Sequence, residues 1–213
     1  YPPGHLLLWL AGMAVAGLVF GLAGLSLFGD GLMAYLNAVM APFADQFPNA
    51  EQREVLMALV EYLPAFFAVS WTLGLIFNGV LAQGLLVRFG YNIAPSPKLA
   101  DISLPMAWIG TLLAALLLSS MTGLMGVFGK TLAAIAIVPY FVLGLGVVHG
   151  FFRPWKGRLG ILILFYGLLF LWPLPVLVAG LGLLNAVLRL ARGNKSSNTG
   201  DAGDSGDSAD KEE

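Results

Sequence analysis

No cysteine occurs in the chain, which excludes disulfides and thiolate metal sites and leaves the redox compartment unmarked. Charge is scarce as well. Only 11% of residues are Asp, Glu, Lys or Arg, against roughly 25% in a soluble domain. No Asp or Glu falls in the middle of an apolar run, which removes the usual basis for a proton relay or an ion-coupled pump. Strict alternation of apolar and polar residues over about ten positions is also missing, which argues against a transmembrane β-barrel.

What is present is uninterrupted apolar sequence. Leu6 to Phe28 offers 23 residues without a formal charge, long enough to cross a hydrocarbon core of about 30 Å at about 1.5 Å per residue. Comparable stretches recur at Leu63–Val87, Ile102–Met121, Thr131–Phe152 and Leu159–Leu190. Backbone in lipid must satisfy its own hydrogen bonds, so the expected fold class is all-α, a polytopic transmembrane helical bundle. The count is about six spans, or five if the last stretch is one kinked helix. The first residue is Tyr1, and the chain reads as the C-terminal part of a longer protein. Residues 1–192 form the expected helical membrane domain and 193–213 an acidic tail. That tail carries six acids and two lysines, leaving nine basic and six acidic residues in the body. From Asn194 on, nothing larger than alanine is apolar, so burial cannot offset ordering and the tail is expected to be disordered.

Punctuation within the chain suggests its organisation. Gly17 and Gly21 form a G-x-x-x-G pair able to admit a second helix. Asn49 with Gln52 reads as an N-terminal cap of a helix through Arg53, and Pro64 as a kink before the second span. Pro42 is expected to end the helix before it, and Pro95 and Pro97 to keep their loop extended. Gly123, Gly126 and Gly129, with Lys130, read as a connector before the fourth span. Pro173 and Pro175 divide the last apolar stretch. Cytoplasmic loops carry an excess of Lys and Arg. A hairpin at these prolines would place Arg153, Lys156, Arg158, Arg189, Arg192 and Lys195 on one side. The Gly29–Glu61 connection would then lie outside, and both ends and the tail in the cytoplasm of a cell inner (plasma) membrane.

Chemistry-bearing constellations are absent from the sequence: H-E-x-x-H, G-x-S-x-G and G-x-x-x-x-G-K-[ST] do not occur. His5 and His149 have no second ligand at metal spacing. No enzymatic activity, metal or cofactor is expected, and no nucleic acid among the partners. The polar groups at membrane depth, and the candidates for binding a solute, are Asn78, Gln83 and Tyr140. An unpaired amide in an apolar run is costly, so Asn78 must find a partner. An interhelical hydrogen bond of about 1 kcal/mol or less and a place in a solute pocket both answer that need. Asn78 and Gln83 are offset by about 140° on a helix and cannot share one narrow groove. Trp9, Trp108, Trp155 and Trp172 fall near span ends and read as interfacial anchors.

Asn78-Gly79-Val80-Leu81-Ala82-Gln83 with Arg88-Phe89-Gly90, then Leu104-Pro105 with Trp108, then Gly144-Leu145-Gly146 through Phe152-Arg153, together resemble the YybS-like family of uncharacterised bacterial membrane proteins (domain of unknown function 2232). Gly180-Leu181-Gly182 to Arg192 fits the same pattern. The family's closing helix carries acids where this chain has Asn185 and Arg189, which weakens any role for those positions. The family is distantly similar to the substrate-binding S components of energy-coupling-factor transporters. That resemblance implies a small-solute-binding or permease component, working in the lipid bilayer with other membrane proteins or an energising ATPase module. The alternative is a non-catalytic membrane scaffold or assembly protein.

Overall fold

Apolar side chains at nearly every position leave each helix free to bury any face, so the arrangement is decided by where backbones can approach. A computed structural model describes residues 3–93 and 102–200, and among these every regular element is helical. In chain order they are α1 (Pro3–Phe28), α2 (Leu32–Ala44), α3 (Ala50–Ala58), a 3-10 turn (Leu59–Tyr62), α4 (Leu63–Phe89), α5 (Ala107–Ser119), α6 (Gly123–Phe152), α7 (Arg158–Leu168) and α8 (Leu174–Gly200). Among the described residues four helical stretches are long and apolar enough to cross a membrane: Gly4–Leu25, Ala50–Phe89, Gly123–Phe152 and Leu174–Ala191. The polytopic helical bundle is therefore observed.

Local chemistry sets several boundaries. Asn49 caps α3, its Oδ1 accepting from the Glu51 N–H at 2.9 Å. The expected bend before α4 is the 3-10 turn, which places Pro64 in the first turn of α4, where a missing N–H costs nothing. Gly90 closes α4 with φ 74°, and the Tyr91 N–H reaches back to the Leu86 carbonyl at 2.9 Å, a Schellman ending. Two expectations are corrected. Helix α2 passes through Pro42 and stops at Ala44, because a proline near a C-terminus forfeits only one bond. Gly126 and Gly129 are not a connector but part of the opening turns of α6. A Cβ there would meet the Met121 carbonyl oxygen at 2.0 Å or the Ser119 nitrogen at 2.3 Å, so these glycines admit the end of α5. The segment 94–101, with Pro95 and Pro97, lies outside the described residues.

α6 is the central helix. Of its apolar window 61% is buried, against 11% for α1 and for the α3–α4 stretch. Leu7, Ile102, Leu104, Leu112, Tyr140, Leu143 and Ala186 pack into one core around its middle. Leu32, Leu36, Val60 and Val127 form a second cluster at its amino end, with Leu22 and Leu25 of α1 beside it. Hence α1 descends against α6 while α4, entered at Val60, runs with it.

The closing hairpin is corrected. The stretch does break at the prolines, α7 ending at Leu168 and α8 beginning at Leu174. However, α8 packs along α6: a Cβ on Gly144 would meet the Val178 carbonyl oxygen, and one on Gly182 the Tyr140 carbonyl oxygen, each at 1.8 Å. Four residues down α6 thus match four up α8, an antiparallel register that places Leu174 opposite Val148. α8 therefore starts about 6 Å along the axis from where α6 ends, and α7 does not cross the bundle. Arg153–Arg158 and the carboxyl end of α8 therefore lie at opposite ends of α6. The α8 backbone stays helical to Gly200, into the segment expected to be an unstructured tail. Residues 201–213 lie outside the described residues.

Candidate functional site

Polar atoms inside an apolar bundle must be paired within a helix, paired between helices or left bare, and all three cases occur. Thr72 and Thr131 are buried and donate to carbonyls one turn back, Ala68 at 2.7 Å and Val127 at 2.8 Å. These bonds satisfy the hydroxyls locally and leave nothing for a ligand.

Trp108 pairs between helices. Its indole N–H donates to the Ala136 carbonyl at 3.0 Å across the α5–α6 contact, so it is a clasp within the bundle rather than the interfacial anchor expected. Trp9, Trp155 and Trp172 are exposed, as an anchor requires. The Arg189 guanidinium donates to the Ile102 carbonyl at 3.5 Å. Ile102 and Leu104, 5% and 6% exposed, belong to the non-helical lead-in to α5. Such backbone is tolerated at membrane depth only when protein covers it and fills its hydrogen bonds.

A charged pair escaped the sequence reading. Lys130 in α6 bonds Glu61 in the 3-10 turn, and its ammonium lies 4.9 Å from the Tyr62 ring centroid. The two residues are 69 apart, and the only signal was that each stands at the mouth of an apolar run. Among the described residues no group of three His, Cys, Asp or Glu converges. His149 bonds the Leu145 carbonyl through Nδ1 at 2.8 Å, and the Tyr166 hydroxyl lies 3.4 Å from its Nε2.

The three residues singled out for solute binding are not brought together. Tyr140 is fully buried in the α6 core, and among the described residues its hydroxyl has no partner. Gln83 is half-buried on the side of α4 that carries Thr72, and is engaged within the protein. Asn78 is exposed on the outer face of α4. None of the three lines either of the two principal cavities. The larger, about 410 Å³, is an apolar groove between α1 and α4 floored by Ala14, Gly17 and Gly21 and walled by Phe67 and Trp71. The other, about 360 Å³, lies along α3 beside Phe47, Val55 and Leu59. A Cβ on Gly17 or Gly21 would meet nothing within 4 Å, so among the described residues no helix uses the G-x-x-x-G pair.

A family model described as "Predicted membrane protein (DUF2232)" matches residues 3–185. No curated protein and no solved structure matches. The match covers most of the chain, which therefore belongs to this predicted membrane protein family.

Proposed function

We propose that this DUF2232 member is a non-catalytic integral membrane protein of the cell inner (plasma) membrane that works by assembling with other membrane helices. The observation that carries this reading is Asn78, an amide bare on the lipid-facing side of α4. In hydrocarbon such a group is satisfied only by another helix or a bound molecule. The groove between α1 and α4 favours the same reading, since it is apolar and open rather than a polar pocket. A small-solute-binding or permease component, driven by an energising ATPase module, is the second reading. The buried Tyr140 hydroxyl without a partner favours it. For orientation, we take the Arg153–Arg158 end as cytoplasmic. Its cations stand in a short loop without an acid, whereas Lys130 is matched by Glu61 and Arg189 reaches a carbonyl. The tail then faces the opposite side.

Native mass spectrometry of the protein released from its own membranes tests this. The assembly reading expects a retained protein subunit and no stoichiometric small molecule. A retained solute on a monomer would replace it with the second reading.

A further inference from the structure

The outer face of α4 carries a repeat that no other helix among the described residues covers. Phe67, Trp71, Gly74, Asn78, Leu81 and Leu85 follow one another at steps of four and three, and all are exposed. That is the spacing of the a and d positions of a coiled-coil seam, with Asn78 at an a position. Thr72, Ile76 and Gln83 occupy the opposite side of the helix, toward α6. Asn78 lies about 22 Å along the helix from Leu63 and about 16 Å from Phe89, well within the hydrocarbon. Gly74 and Ala82, one turn either side, leave room for a neighbouring backbone. The apolar groove beside α1 opens next to Trp71, so the uncovered surface continues past the seam.

We infer that this seam binds α4 of a second copy of the protein in a parallel pair, with Asn78 hydrogen-bonded to Asn78 of its partner. The inference rests on the assembly reading above and names the partner. Two copies inserted in the same orientation are related by an axis along the membrane normal, so their α4 helices run parallel and equal positions meet at equal depth. A carboxamide both donates and accepts, so it is complementary to itself across such an axis. A different protein would need a second polar residue at the same depth; a second copy supplies it automatically.

The chain has no cysteine, so single substitutions report cleanly. In native membranes treated with copper phenanthroline and air, which take up the two electrons, Leu81→Cys, on the seam, should form a disulfide dimer, and Val80→Cys, exposed on the opposite flank, should not. In the Leu81→Cys background, Asn78→Leu should weaken dimerisation about fivefold, which is about 1 kcal/mol at 1.4 kcal/mol per tenfold, while Asn78→Gln should preserve it. Equal cross-linking at both positions, cross-linking at neither, or no effect of Asn78→Leu would overturn the second copy. A photo-reactive residue at position 81 separates the failures. Capture of a different membrane protein would overturn the homodimer and keep the assembly reading; a monomer capturing nothing would overturn both.

Discussion

A methyl group on Gly182 would lie 1.8 Å from the Tyr140 carbonyl oxygen, and one on Gly144 just as close to Val178. Both clashes are with backbone, which cannot turn aside as a side chain can. Gly182→Ala should therefore cost about 3 kcal/mol, the upper end of ordinary overpacking. Gly17→Ala, where nothing lies within 4 Å, should be neutral or gain up to about 1 kcal/mol of helix propensity. Thermal unfolding in one detergent would compare them, and equal shifts would refute the α6–α8 register. These roles were not legible from residue type. Gly144 and Gly182 each sit in a G-L-G run, yet a Cβ on Gly180, in the same run as Gly182, would meet nothing within 4 Å, so only the partner helix separates a contact from a bare surface. Asn78 was more legible, because its depth follows from counting residues. Whether its side chain faced inward did not.

Among the elements, α5 shows how far a span can be read from hydropathy. The apolar run Ile102–Met121 is long enough to cross, yet only Ala107–Ser119 is helical. Pro105 keeps the lead-in out of the helix, and the exposed carbonyls this creates need donors from elsewhere. Arg189 and Trp108 supply bonds from and to distant parts of the bundle, pairings that no local pattern encodes. Trp108→Phe keeps the ring and loses the N–H, and should cost about 1 kcal/mol. Trp172→Phe, at an 82% exposed side chain, should cost less than half of that. Equal losses would return Trp108 to the role of a surface anchor. By contrast, the ends of α4 were readable, since Pro64 and Gly90 act within one turn of themselves.

At the scale of the whole molecule, helix positions were legible and helix directions were not. Apolar length marks where a chain enters lipid. The return of α8 along α6 instead depends on Gly144 and Gly182 meeting carbonyls 34 to 42 residues away. Charge bias took every apolar stretch to cross, and it carries no information on the antiparallel return of α8 along α6. α7 has 11 helical residues, about 16 Å, and turns back to the end it left. Cysteines at Asp45 and Ser197 should therefore react with an impermeant reagent from the same side of the membrane, and a cysteine at Lys156 from the other. Asp45 follows α2, which packs beside Val127 at the amino end of α6, and the antiparallel register brings the carboxyl end of α8 to that same end. Labelling of Asp45 and Ser197 from opposite sides would require α7 to cross, and no arrangement that kept Val178 against Gly144 could then survive.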